Sequence, residues 1–186
     1  MSISGITLVT FGYFDETFIK QVSRTVQLEL GMNVSLVNGH LDLSEFFDSA
    51  RRQYNADKLL KEVDLRYGTD SSRTAGLFNA DLYIPILTYV FGLAWLRGRT
   101  GIVSAYRLNN EIYGISPDIG LVPARFSKEI IHELGHTLGL VHCTDPSCVM
   151  RSSTYLEDLD QKSMAFCESC REAVRLFLQE GLKQPV

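Results

Sequence analysis

Residues 132–142 read His-Glu-Leu-Gly-His-Thr-Leu-Gly-Leu-Val-His, and three of the chain's four histidines fall in that window. The pattern H-E-x-x-H-x-x-G-x-x-H is a metal-site spacing that dictates a helix, a sharp turn and a returning loop. A chance match anywhere in the chain is expected at roughly one in 10^5. The chain must therefore fold so that one face of this helix meets a loop across a metal.

The reason is angular. An α-helix turns about 100° per residue, so His132 and His136 share a face and both reach one zinc at ~2.0–2.1 Å. Glu133 projects from the edge of that face, close to a water on the metal and poorly placed to be a ligand. On the other side Ile130, Ile131, Leu134 and Leu138 form an apolar stripe that packs the helix on a core. A continued helix would carry His142 ~240° away from His136. Gly139 prevents this, because glycine takes up the left-handed conformation cheaply just past a helix and turns the chain. Three neutral imidazoles with a fourth position open is the catalytic zinc arrangement, and it preserves the ion's Lewis acidity. His40, beside the Asn38-Gly39 turn pair, reads as an ordinary histidine.

All four cysteines follow: Cys143, Cys148, Cys167 and Cys170. The C-x4-C and C-x-x-C spacings fit the knuckles of a closed tetrathiolate zinc site. Two disulfides or a thioredoxin-like redox pair are the other readings; the start of the chain shows no secretion signal, and the C-x-x-C lacks the preceding strand of a βαβ unit. Because His142 and Cys143 are neighbours, two ions held by them would lie within roughly 14 Å. The second site would then clamp the loop that delivers the third histidine.

From His132 to Cys170 the chain reads H-E-x-x-H-x-x-G-x-x-H-C-x4-C-x-M-x16-C-x-x-C. This resembles the archaemetzincin family of metzincin zinc metalloproteases, whose spacer is x17 where this chain has x16. The resemblance implies that His132, His136 and His142 bind a catalytic zinc and that Glu133 is the general base. It implies that Met150 is the Met-turn residue beneath the metal, and that Cys143, Cys148, Cys167 and Cys170 hold a second, structural zinc. Without the family, Met150 reads as a core methionine filling a gap.

The remaining sequence sets bounds. At 186 residues and 45% hydrophobic the chain is expected to form one zinc-metalloprotease domain, with a sheet-rich part over residues 1–122. Residues 123–186 are expected to carry the active-site helix, the Met-turn and the cysteine segment. A net charge of −4 argues against nucleic acid as a partner, and no apolar run reaches the ~20 residues of a membrane span. The opening residues read as a strand and not as a signal peptide, which points to the cytoplasm. The oligomeric state is not legible.

Ile6 to Phe11 reads as a buried strand, Asp15 as the N-cap of a helix ended by Gly31, and Asn33 to Val37 as a second strand. Ala56 to Tyr67 is expected to be helical, Gly68 to Thr74 a loop, and Ala80 to Ile86 a strand. Phe91 to Ala105 reads as two strands joined by the Arg97-Gly-Arg turn, with Gly92 to Leu96 as a sheet edge. The zinc helix is expected to start near Pro123, and Asp158 to Leu182 to form one last helix. The fold class is α/β, a metzincin-like mixed β-sheet with an antiparallel edge strand, a long active-site helix and a C-terminal helix.

An exposed edge accepts an extended peptide by strand addition, so peptide or protein is the expected substrate. The expected activity is zinc-dependent peptide bond hydrolysis through the open zinc position. An aminopeptidase with the same chemistry and a catalytically silent zinc-binding interaction module are the rivals. Trp95 near the edge and Tyr155 past Met150 read as packing or surface residues and stay outside the catalytic set.

Overall fold

Strand β1 (Gly5–Phe11) begins a sheet whose order is β2-β1-β5-β8-β7 in the computed structural model, which describes residues 3–118 and 120–183. The other members are β2 (Val34–Gly39), β5 (Ser72–Phe78), β7 (Gly92–Ala94) and β8 (Thr100–Ser104). β1, β2, β5 and β8 run parallel, and β7 alone pairs antiparallel, with β8. Three short strands, β3 (Phe47–Asp48), β4 (Gln53–Asn55) and β6 (Leu82–Tyr83), form a second sheet.

Alternation along β1 explains the layers, since successive side chains leave opposite faces of a strand. Ile6 and Leu8 join one buried cluster with α1 (Glu16–Leu30) and α3 (Leu121–Thr137). Val9 and Phe11 join another with α2 (Ala56–Tyr67). The sheet is thus buried on both faces. Asp15 caps α1 by accepting the Phe18 N–H at 2.9 Å, and Gly31 closes it at φ 64°. Both were expected from sequence.

Two expectations fail. Gly68 to Thr74 is not all loop, because β5 starts at Ser72 and runs through the centre of the sheet to Phe78, while Ala80 to Ile86 contains only the two-residue β6. Close packing explains why β5 looks so unlike a strand. A Cβ on Gly76 would come within 3.1–3.2 Å of Val63, Ile102 and Phe78, so the middle of the central strand needs its smallest residue. The final helix is also broken into α4 (Leu156–Gln161) and α5 (Glu168–Lys183). Residues 163–167 leave helical geometry to serve the cysteine loop: Ser163 N–H donates to Ser147 O and Val149 N–H to Ala165 O.

The expected edge strand exists but is shorter, ending at Ala94 where Gly92 to Leu96 was expected. The Arg97-Gly-Arg turn does join it to β8. α3 begins two residues before Pro123. Among the described residues no helix is long and apolar enough to cross a membrane.

Candidate metal centre

α3 binds the molecule together because its apolar stripe is fully used. Ile130, Ile131 and Leu134 are completely buried and Leu138 nearly so, each contributing about 2 kcal/mol of transfer free energy. The opposite face carries His132, Glu133 and His136. The helix ends in a Schellman motif: Gly139 N–H donates to His136 O, Leu140 N–H reaches back to Gly135 O, and Gly139 stands at φ 90°. That turn returns His142 to the two helical histidines. The three imidazole centroids lie 4.7, 5.3 and 5.0 Å apart.

The ring nitrogens are already oriented. His132 Nδ1 lies 2.9 Å from Val149 O and His136 Nδ1 lies 2.8 Å from Leu140 O. A carbonyl only accepts, so both Nδ1 atoms carry the proton and both Nε2 lone pairs face inward. These Nε2 atoms are 3.1 Å apart, close to the ~3.3 Å edge of a tetrahedron with bonds of ~2.0–2.1 Å. The donor set fits a zinc ion. Burial holds His132 and His136 below the usual imidazole range, which keeps them neutral, the form a metal needs.

Glu133 lies beneath the edge strand. A Cβ at Gly92 would sit 2.7 Å from its Cγ and Oε1, and one at Gly101 would be 3.2 Å from its Cβ. Two glycines on neighbouring strands therefore make room for this carboxylate. Burial and the nearby Glu129 carboxylate push its pKa up, and the Lys162 ammonium opposes them. Lys162 is itself fully buried, its Nζ donating to Glu129 Oε1 at 3.2 Å and to Arg151 O at 3.1 Å. Lys162 and Glu129 belong to no motif of the sequence, and only the fold brings them together.

Met150 is fully buried beneath the helix. A Cβ on Gly135 would overlap its Sδ, so the first glycine of the motif is as constrained as Gly139. The motif spacing draws the eye to Gly139; only packing identifies Gly135. Met150 O accepts the Cys143 N–H at 3.0 Å, which ties the methionine segment to the chain just after His142.

The four cysteine Sγ atoms lie within 4.8 Å of one another, and none is bonded to another. Cys143 and Cys167 Sγ are 3.7 Å apart, against ~3.8 Å for the edge of a tetrathiolate with zinc–sulfur bonds of ~2.3 Å. Four thiols meeting at one point fit a single tetrahedral ion. The Cys170 N–H lowers the Cys167 pKa, whereas burial raises Cys148 and Cys170.

A cleft of about 560 Å³ opens beside the histidines, walled by Tyr89 to Ala94 on one side and Ser152 to Tyr155 on the other. Tyr155 is largely exposed there, and Tyr89 donates its hydroxyl to Thr154 O at 2.8 Å. Trp95 lies outside this cleft. His40 lies away from the site, its backbone N–H on the Tyr67 hydroxyl.

The family model of peptidase family M54 matches residues 16–176. An archaemetzincin of Pyrococcus horikoshii is 43% identical over 144 residues, covering 75% of this chain and 76% of the relative. One from Sulfolobus acidocaldarius is 38% identical over 175 residues, covering 92% of this chain and 96% of the relative. Among solved structures, a zinc-dependent peptidase from Methanocorpusculum labreanum superposes with a TM-score of 0.83 at 32% identity, covering 91% of this chain and all of that one. Archaemetzincin from Methanopyrus kandleri gives 0.79 at 34% identity, covering 95% and 97%.

Proposed function

The chain belongs to the archaemetzincins, peptidase family M54, and from that premise we propose that it cleaves internal peptide bonds at a zinc held by His132, His136 and His142. Glu133 is the general base, and a second zinc held by Cys143, Cys148, Cys167 and Cys170 is structural. The observation that carries this reading is the pair of Nδ1 hydrogen bonds to Val149 and Leu140 carbonyls, which aims both helical Nε2 atoms at one point beside Glu133.

When bound, the histidine-held zinc supplies a Lewis acid that makes water nucleophilic near neutral pH and polarises a carbonyl. Glu133 takes the proton of the attacking water on a carboxylate oxygen and returns it to the leaving amine. Gly92 packs against that carboxylate, where a Cβ would lie 2.7 Å from Oε1. β7 supplies the substrate rail. Ser104 N–H donates to Phe91 O, so by antiparallel alternation Gly92 and Ala94 turn their own N–H and C=O away from β8, toward the cleft. An extended peptide bonds to them as an added strand.

An aminopeptidase needs a free carboxylate at the cleft to hold the substrate's amino terminus. Of the two carboxylates lining the cleft, Glu129 is engaged by Lys162 and Glu133 serves as base. Internal cleavage is favoured accordingly. The test uses peptides blocked at both ends: the zinc-loaded protein cleaves them, and Glu133→Gln retains metal but loses at least about 10^2 in kcat/KM, the low end for a positioned base. Wild-type rates in that variant, or cleavage restricted to free amino termini, would remove the assignment. Ala94→Pro, which deletes an outward N–H, is expected to raise KM several-fold with the fold intact; an unchanged KM breaks the rail.

A further inference from the structure

On the far side of the edge strand, where β7 runs out at Ala94, an open hollow of about 550 Å³ is lined by Trp95, Arg97, Gly98 and Arg99 from the turn. Asp64, Asp70 and Arg73 complete it. The three arginines are not equivalent. Arg99 is fully engaged: Nε and Nη2 donate to Asp64 at 2.9 and 3.1 Å, and Nη1 donates to Asp70 at 3.1 Å. Thr100 adds a 2.6 Å bond to Asp64. One guanidinium is therefore shared by two carboxylates, and the three arginines of the hollow outnumber its two aspartates by one charge.

Arg73 and Arg97 make no ion pair among the described residues. Arg73 is only 9% exposed, and its Nε–H is buried with no hydrogen-bond partner among the described residues. Its parity along β5 matches Ala75 and Leu77, so it leaves the sheet on the α3 side, where its guanidinium lies 5.8 Å from the Phe177 ring centroid of α5. The Phe177 ring offers the guanidinium an aromatic face but no oxygen for its Nε–H to donate to. Buried polar groups are almost always paired, and Arg73, a lining residue of the hollow, carries a guanidinium donor left unpaired among the described residues.

Arg97 approaches the same point. A position beside the Gly139 Cα is 3.2 Å from the Phe177 ring and 3.5 to 3.6 Å from Arg97 Cγ and Nε, so both arginines border one aromatic ring. The backbone of Arg97 is held independently, in the left-handed region at φ 59° with its N–H on His136 O at 2.9 Å. The backbone of the turn is thus anchored at Arg97, whose guanidinium makes no ion pair among the described residues.

We propose that this hollow is an oxyanion site, binding a carboxylate or phosphate group between Arg73 and Arg97. Guanidinium groups suit such groups because their planar donors match two oxygens at once. The site is separate from the zinc cleft and shares no lining residue with it. It stands whether or not the assignment of Glu133 holds. A free phosphate and an acidic side chain of a peptide offer the same chemistry.

Trp95 is the only tryptophan in the chain and lines the hollow, so its fluorescence reports occupancy directly. The zinc-loaded full chain is titrated with inorganic phosphate against sodium chloride of equal ionic strength. A parallel titration, in Glu133→Gln to prevent cleavage, compares a blocked Glu-containing peptide with its Gln counterpart. A saturable change with phosphate, with the Glu peptide alone, or with both is expected, and identifies the source. In Arg97→Gln and Arg73→Gln the affinity falls at least about tenfold, or ~1.4 kcal/mol. Arg97 is exposed and its backbone bond survives substitution, so this variant reads the site even if Arg73→Gln fails to fold. No saturable change from either ligand, equal responses to the Glu and Gln peptides with none to phosphate, or a response that Arg97→Gln leaves intact overturns the site.

Discussion

The imidazole set and the thiol set share one turn of chain, and they are organised differently. His132 and His136 lie on a helix, and each is locked by a backbone carbonyl, Val149 O or Leu140 O, before any ion is considered. Their arrangement belongs to the fold. The thiols join Cys143 and Cys148, in a loop without regular structure, to Cys167 just before α5 and Cys170 in its first turn. Few hydrogen bonds span this junction, among them Ser163 to Ser147 and Val149 to Ala165. The lesson is that the proposed catalytic ion sits in a frame that exists without it, whereas the proposed structural ion is part of its own frame.

The difference can be broken most decisively at Cys148. Cys148→Ser is expected to cost on the order of 5 kcal/mol or more, since structural zinc binding is folding free energy. Denaturation of the zinc-loaded variant checks this. Because Val149 and Met150 follow directly, the same variant should lose zinc at the histidines; a Cys148→Ser protein with normal stability and activity would dissolve the link between the two sites.

Lys162→Met comes next. It strands the buried Glu129 carboxylate and removes the donor to Arg151 O, at an expected cost of about 3–5 kcal/mol. Pairing it with Glu129→Leu should recover most of that loss in denaturant midpoint. If the single variant is as stable as the parent, the ion pair does not hold the methionine segment under the histidines.

The smallest effect expected is at Asp158, whose Oδ2 accepts the N–H groups of Thr154 and Tyr155, both at 2.9 Å. Those bonds hold its pKa below the ordinary 3.8. A depressed carboxylate stabilises above its unfolded pKa, and that stability is lost as pH falls through the lower folded value. Asp158→Asn should therefore cost roughly 0.3–0.5 kcal/mol at neutral pH, as for a solvent-screened charge at a helix start, and progressively less below pH 3.8. A cost that does not shrink in acid would mean that the charge is not what matters.

The same contrast explains what could be read from the chain. Local rules were enough wherever a single residue type answers a local need: Asp15 at a cap, Gly31 and Gly139 at left-handed turns, and the histidine spacing on a helix. The meeting of the three histidines was legible for that reason. β5 was not, because Arg73 and Gly76 answer needs set by Phe177, Val63 and Ile102, all distant in sequence. Nor was the break between α4 and α5, whose periodicity continues on paper while residues 163–167 are pulled away to meet the cysteine loop. Gly135 and Lys162 were hidden likewise, since Met150 and Glu129 meet them only in three dimensions.

The two proposed ion sites thus differ in what holds them, and metal content followed through a chelator titration, with circular dichroism on the same samples, separates them. Two zinc ions per chain are predicted, one released with activity lost and the secondary structure unchanged, the other released only as the protein unfolds. A single ion per chain, or two ions that leave together from a protein that stays folded, would contradict that difference.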